Sequence, residues 1–246
     1  MAGALDPAPD HALAAMDLAV SRGGTPVLRD VSFEVGAGSW FGVLGVNGSG
    51  KTTLLQAIAG RLAIDDGRLA LFGEEVAASE ARRTASVGFA PPPESLPGLV
   101  TAGEMLDLVA TLRRAPADAP RPVFEALGLP ALLAIPIDTM SVGMRQRVAI
   151  FSAFLGSPRI VVLDEPFNWL DPVAAFDLKT VLAEMVAGGL TLVTALHDIS
   201  TFATRCDAGL WLHEGAVVQA FASADLAAAR ADVAGFEARI YRLFHR

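Results

Sequence analysis

Gly45, Val46, Asn47, Gly48, Ser49, Gly50, Lys51 and Thr52 fit the spacing G-x-x-x-x-G-K-[ST], and Thr53 follows directly. In such a loop the glycines let backbone N–H groups turn toward phosphate oxygens that a side chain would block. The N-terminus of the following helix adds partial positive charge. Lys51 is placed to reach the β- and γ-phosphates of a bound triphosphate, and Thr52 to offer its hydroxyl to Mg²⁺. A second chemical signal lies further along. Ile160 to Leu163 is an apolar run ending in Asp164-Glu165. At the carboxyl end of a parallel strand, Asp164 would face Mg²⁺ through a water, and Glu165 would orient the water that attacks. Read alone, the Asp-Glu pair could equally cap a turn. Beside a phosphate loop, the catalytic reading gains weight.

The elements needed to position these residues are present. Leu13 to Val20 and Val31 to Val35 read as strands joined through Arg22-Gly23-Gly24-Thr25-Pro26. Trp40 to Leu44 is a short apolar strand leading into the Gly-rich loop. A helical pattern then runs from Lys51 to Leu62, with Leu54, Leu55, Ile58 and Leu62 on one face. Pro91-Pro92-Pro93 breaks the chain. Beyond it Thr101-x-x-Glu104 is a capping box for a helix ending near Arg114. Val123 to Leu129 is a short helix, and Ser141 caps one that runs to Gly156. Asp171-Pro172 starts a helix that Gly188-Gly189 ends, and Leu190 to Leu196 is another strand. Strands alternating with helices imply a parallel sheet covered on both faces.

Composition bounds the reading. The chain has 246 residues, 52% apolar and 19% charged, which allows a sizeable core and excludes global disorder. Mean hydropathy is +0.45, yet no apolar run approaches the roughly 18–20 residues of a spanning helix. The net charge of −8 speaks against a broad nucleic-acid surface. A single cysteine, Cys206, rules out an intrachain disulfide. Residues 1–11 read as a disordered tail, without the basic and apolar regions of a signal peptide. Only two lysines, Lys51 and Lys179, occur against seventeen arginines, which makes Lys51 stand out.

From about Leu13 to Gln219 the chain resembles ATP-binding-cassette ATPases, and its terminal run from Ala231 to Leu243 resembles the last helix of exporter-type (ABC-2) cassettes. The likeness rests on the phosphate loop, the acidic strand end and three further segments. Ser141-Val142-Gly143-Met144, after Met140, stands in the place of the family's Leu-Ser-Gly-Gly-Gln signature. Leu170-Asp171 matches the D-loop, and His197 the switch histidine. The resemblance implies an α/β fold: a P-loop NTPase (RecA-like) core at about residues 12–92 and 157–246, an N-terminal antiparallel β-layer, and a helical insert at about 93–156. It also implies an ATPase with ATP and Mg²⁺, with Lys51, Glu165 and His197 catalytic and Thr52 and Asp164 serving the metal. Two cassettes, as homo- or heterodimer, would close around ATP, with Ser141 to Met144 serving the partner's nucleotide. The insert would dock a transmembrane permease. The chain would then be cytoplasmic and touch the inner face of the membrane only through that permease.

Several positions depart from the family pattern. Arg22 stands where an aromatic usually packs on adenine, and either stacks its guanidinium there or has no role. Pro92 replaces a glutamine that touches Mg²⁺, with Glu94 as a substitute nearby. Val142 replaces the first signature glycine and would be strained wherever a positive φ is required. Trp169 brings bulk to the D-loop, as a dimer-seam residue or as ordinary core. Because the faults fall on the signature side, an asymmetric heterodimer is expected. The competing readings are a non-transport cassette in DNA repair or translation, and a module that holds ATP without useful turnover.

Overall fold

The structure, a computed structural model, describes residues 11–114 and 120–244, and the side chains only as far as residue 242. His11–Arg22 (β1) and Thr25–Gly36 (β2) form a long antiparallel hairpin closed by Gly23 and Gly24, both at positive φ, which suits a tight two-residue turn. His11 is paired with Gly36, so it belongs to β1 and not to the expected tail; residues 1–10 of that tail lie outside the described residues. Trp40–Leu44 (β3) is buried throughout and ends at the Gly-rich loop. Lys51–Ile58 (α1) follows, four residues shorter than the periodicity suggests. Its end is set by Ala59 and by Gly60 at φ +69, so Leu62 packs from the turn beyond the helix.

Asp66–Leu71 (β4) and Glu74–Glu75 (β5) complete an antiparallel sheet in the order β2-β1-β4-β5. Glu80–Ser86 (α2) leads to Val87–Phe89 (β6). Then come the helices between β6 and the acidic strand: Ala102–Leu112 (α3), Arg121–Ala126 (α4) and Val142–Ser152 (α5). The capping box of α3 forms as read, with Thr101 and Glu104 satisfying each other's backbone N–H groups. The short helix starts two residues earlier than expected, at Arg121, and gives way to a 3₁₀ turn at Leu129. Helix α5 stops at Ser152, before the Gly156 expected.

Ile160–Asp164 (β7), Pro172–Ala187 (α6), Thr191–Leu196 (β8) and Ile199–Arg205 (α7) carry the remaining chemistry. Ala208–His213 (β9) and Ala216–Phe221 (β10) end the main sheet, whose order is β10-β9-β3-β8-β7-β6. All its pairings are parallel except β10 with β9. Ser223–Ala231 (α8) absorbs the Ala-rich run, and Val233–Phe244 (α9) is the terminal helix. In α9, Phe236 and Ile240 are buried, whereas the Leu243 side chain lies outside the described residues. The sheet separates two apolar cores. One lies against α1 and the antiparallel layer, the other under α3–α6 and α7–α9. Cys206 is fully buried in the second, and burial pushes its thiol well up, so it packs as an apolar side chain. Among the described residues, no helix is long and apolar enough to cross a membrane.

Candidate functional site

Strand order decides what meets. β3, β8 and β7 are adjacent, so the phosphate loop after β3, His197 after β8 and Asp164-Glu165 at the end of β7 emerge side by side. Helix α1 has no side-chain cap. Its N-cap is Gly50 at φ +104, a backbone state costly for any residue with a Cβ, and its first-turn N–H groups are left to face a ligand. The loop closes on itself through Ser49 N–H to Val46 O at 3.2 Å and is tied to the sheet through Gly215 N–H to Ser49 O at 3.0 Å. The Ser49 hydroxyl is buried and without a hydrogen-bond partner, as expected of a cradle built for an anion.

Lys51 is only 5% exposed. Its Nζ donates to Gly45 O at 2.7 Å and to Val46 O at 3.3 Å, and lies 3.5 Å from Glu165 Oε1. The other oxygen of Glu165 accepts from Asn168 Nδ2 at 2.6 Å and stands 3.7 Å from His197 Nδ1. Glu165 itself sits at φ +44, off the end of β7, with its N–H donating to Ala195 O on β8 at 3.2 Å. That left-handed backbone turns the carboxylate out of the sheet, at a typical cost of about 1–2 kcal/mol for a residue with a Cβ.

Thr52 donates its hydroxyl toward Asp164. Burial pushes the Asp164 carboxyl above the usual range. The Thr52 hydrogen bond opposes that shift, the Glu165 charge adds to it and Lys51 counters it. Among the described residues no three carboxylates or histidines are grouped closely enough to hold a metal alone. A cation here would therefore need substrate phosphates and water as well, the way Mg²⁺ is usually held.

Arg22, Asn47, Gly48, Ser49, Gly50, Lys51, Thr52, Thr53 and Glu165 line one cleft of about 430 Å³. Gly45 and Val46 contribute carbonyls to Lys51 from beneath it. A second cavity of about 490 Å³ joins Thr52, Asp164 and Glu165 to Pro92, Glu94, Val142 and Trp169. Glu94 thus shares a wall with the acidic pair, as the departure at Pro92 suggested.

The signature segment stands apart from the phosphate cleft. Ser141 caps α5, accepting from Met144 N–H at 3.2 Å, and among Ser141, Val142, Gly143 and Met144 only Val142 reaches the second cavity. The anticipated strain at Val142 is absent. It is the first helical residue of α5, with ordinary negative φ, and 41% exposed. The positive φ falls instead on Trp169, at +64. Trp169 is 70% exposed, which excludes the core reading. Its carbonyl oxygen approaches Gly143 so closely that a Cβ there would lie 2.5 Å away. Asp171 caps α6 through Val173 and Ala174 N–H and pairs with Arg147 of α5 at 2.6 Å.

Sequence reasoning missed Asn168 and Arg147. The first is three residues after Glu165, a spacing that suits a turn; the second gives no local signal, because its partner is 24 residues away.

The family model for the ABC transporter matches residues 28–168. A probable ABC transporter ATP-binding protein of Azorhizobium caulinodans is 32% identical over 85% of this chain and 76% of its own length. The cytochrome c biogenesis ATP-binding export protein of Cupriavidus pinatubonensis is 34% identical over 76% of this chain and 84% of its own. Among solved structures, an ATP-binding subunit of an ABC transporter superposes with a TM-score of 0.77 at 29% identity, covering 87% of this chain and 90% of that one. A dimeric cassette in a post-hydrolysis state with ADP and phosphate has a TM-score of 0.76 at 21% identity, a likeness of fold, over 86% of this chain and 98% of that one. The chain belongs to the ABC transporter family, as an ATP-binding, ATP-hydrolysing subunit that energises transport.

Proposed function

We propose that two cassettes close on two ATP molecules, each nucleotide held by the phosphate loop of one and by Ser141 to Met144 of the other. The observation that carries this is the convergence of Lys51 and His197 on the two oxygens of Glu165, 3.5 and 3.7 Å away. Those three groups surround the place a γ-phosphate would take above Gly50 and Thr52. Glu165 holds the attacking water and draws its proton as charge develops; Lys51 and His197 balance charge on the γ-phosphate. Asn168 fixes the Glu165 rotamer. Thr52 and Asp164 would hold Mg²⁺, which neutralises phosphate charge when bound. Arg22, on the wall of the nucleotide cleft, is assigned to the base end.

The signature segment serves no phosphate in its own cleft. Its exposed Ser141, at the N-terminus of α5, is suited to an anion arriving from a partner. Between α3 and the core lies a groove of about 890 Å³ lined by Phe89, Pro91, Pro92, Met105, Val109 and Leu112. It is assigned to a helix of the permease, the chain's sole link to the membrane. An exporter is favoured by the names of relatives, among them the lipopolysaccharide export ATP-binding protein of Acidithiobacillus ferridurans, 30% identical over 79% of this chain and 83% of its own length.

Sedimentation of the chain with and without Mg²⁺ and ATP tests the pairing. A dimer forms only with nucleotide, and Ser141→Arg abolishes it while a single cassette still binds ATP. A monomer indifferent to ATP, in a membrane-purified complex that holds no second cassette, would sink the reading. The same purification identifies the permease and separates homodimer from heterodimer.

A further inference from the structure

The second lysine, Lys179, is not explained by nucleotide binding. It lies on α6, half-buried, and is the only lysine besides Lys51. Its Nζ donates to Thr201 Oγ1 at 2.7 Å and stands 4.8 Å from the centre of the Phe167 ring. Thr201 is 4% exposed, in the first turn of α7. Its hydroxyl donates in turn to Asp198, the N-cap of that helix, which also accepts from Ser200 N–H at 3.0 Å and Thr201 N–H at 3.1 Å. Asp198 directly follows His197. Phe167 is two residues after Glu165 and adjoins Asn168, whose amide holds Glu165.

One ammonium therefore touches both segments that carry the side chains meeting at the reaction centre. Its chemistry suits the slot. A compact ammonium gives one strong hydrogen bond and also faces a ring, whereas a planar guanidinium needs more room and more acceptors. Asp198 supplies opposing charge nearby, and Arg205 the like charge that opposes it.

We propose that Lys179 is a positioning residue for ATP hydrolysis. By bridging the Phe167 ring and the Thr201 hydroxyl, it fixes the segment carrying Glu165 in register with the segment carrying His197. It touches neither nucleotide nor metal and acts through those two residues, so the inference rests on the roles proposed for them.

The test is steady-state ATPase kinetics of the full chain, with nucleotide affinity measured separately. Lys179→Met should lower kcat about tenfold while the Kd for Mg·ATP stays within about twofold, since small misplacements of catalytic groups cost turnover before binding. In a His197→Ala background the same change should add little, because both act through one contact. Wild-type kcat in Lys179→Met, equal losses of affinity and turnover, or simple additivity with His197→Ala would each overturn the proposal. Thr201→Val, nearly isosteric, decides the matter if Lys179→Met does not fold: a kcat loss that vanishes with His197→Ala supports the bridge, and unchanged kcat removes it. Wild-type turnover in His197→Ala would instead overturn the role of His197 and the bridge with it. A silent Lys179→Met beside an inactive His197→Ala overturns the bridge alone.

Discussion

The two faces of this cassette are built differently. On the nucleotide-holding face, polar side chains touch one another: Lys51, Glu165, Asn168 and His197 lie within one chain of contacts of 2.6 to 3.7 Å. On the signature face, around Ser141 to Met144, the backbone carries the structure. A helix N-terminus, a glycine pressed against a carbonyl and the Asp171 cap set the geometry, while the exposed Val142 and Trp169 line the second cavity and do not line the phosphate cleft. Substitution is therefore tolerated unevenly. The first face fails when a functional group changes. The second fails when a backbone position changes, and accepts unusual side chains.

The largest effect should come from the first face. Glu165→Gln keeps the shape and the Asn168 contact but removes the acceptor proposed for the water's proton. Turnover should fall about 100-fold or more, the usual range for a lost general base, while ATP binding persists. With the γ-phosphate retained, the paired state should outlast that of the wild type. Single-turnover kinetics and sedimentation report both. Wild-type turnover in Glu165→Gln would remove the distinction between the faces.

A smaller effect sharpens the comparison on the second face. Gly143→Ala places a Cβ 2.5 Å from the Trp169 carbonyl, so α5 or the D-loop must shift, at a cost of about 1–3 kcal/mol typical of overpacking. The loss should appear at the partner's nucleotide, as weaker ATP-driven pairing. Val142→Gly, which restores the family's residue, should bring no gain in turnover. Val142 already has helical backbone, and glycine in a helix is worth up to about 1 kcal/mol less. A clear gain from Val142→Gly would show that the altered signature is a defect and that side chains matter there after all.

The same contrast explains what the sequence disclosed. The phosphate loop and the Asp164-Glu165 pair are local signals, fixed by a strand running into a turn, and were legible as motifs. Gly23-Gly24, the Thr101 capping box and the Asp171-Pro172 start were legible for the same reason. The placing of β3 between β8 and β9 was not, because short apolar strands of one parallel sheet look alike. The contacts of Lys179, Arg147 and Trp169 depend on that order or on helix docking, so no local pattern announces them. The strain expected at Val142 does not arise because Ser141 caps a helix whose first residue is Val142, a position of ordinary negative φ. β4, β5, β6, β9 and β10 went unread, being short or without clean alternation of apolar and polar residues.

The smallest effect concerns the link between the faces, where Asp171 caps α6 and pairs with Arg147 of α5. The Ala174 N–H bond, followed by the Arg147 charge and the Val173 N–H bond, holds the Asp171 carboxyl below its usual range, against a smaller opposing effect of burial. A carboxyl depressed in the folded state contributes stability that is fully present above its unfolded value of about 3.9 and is lost as pH falls through the lower folded value. Asp171→Asn keeps a capping oxygen but cannot titrate. Melting curves collected from roughly pH 2 to pH 5 should therefore converge for wild type and variant at the acid end and separate toward the upper end, with the wild type more stable there. Parallel curves would mean that Asp171 acts only as a neutral cap, and that its ion pair with Arg147 does not tie α5 to the start of α6.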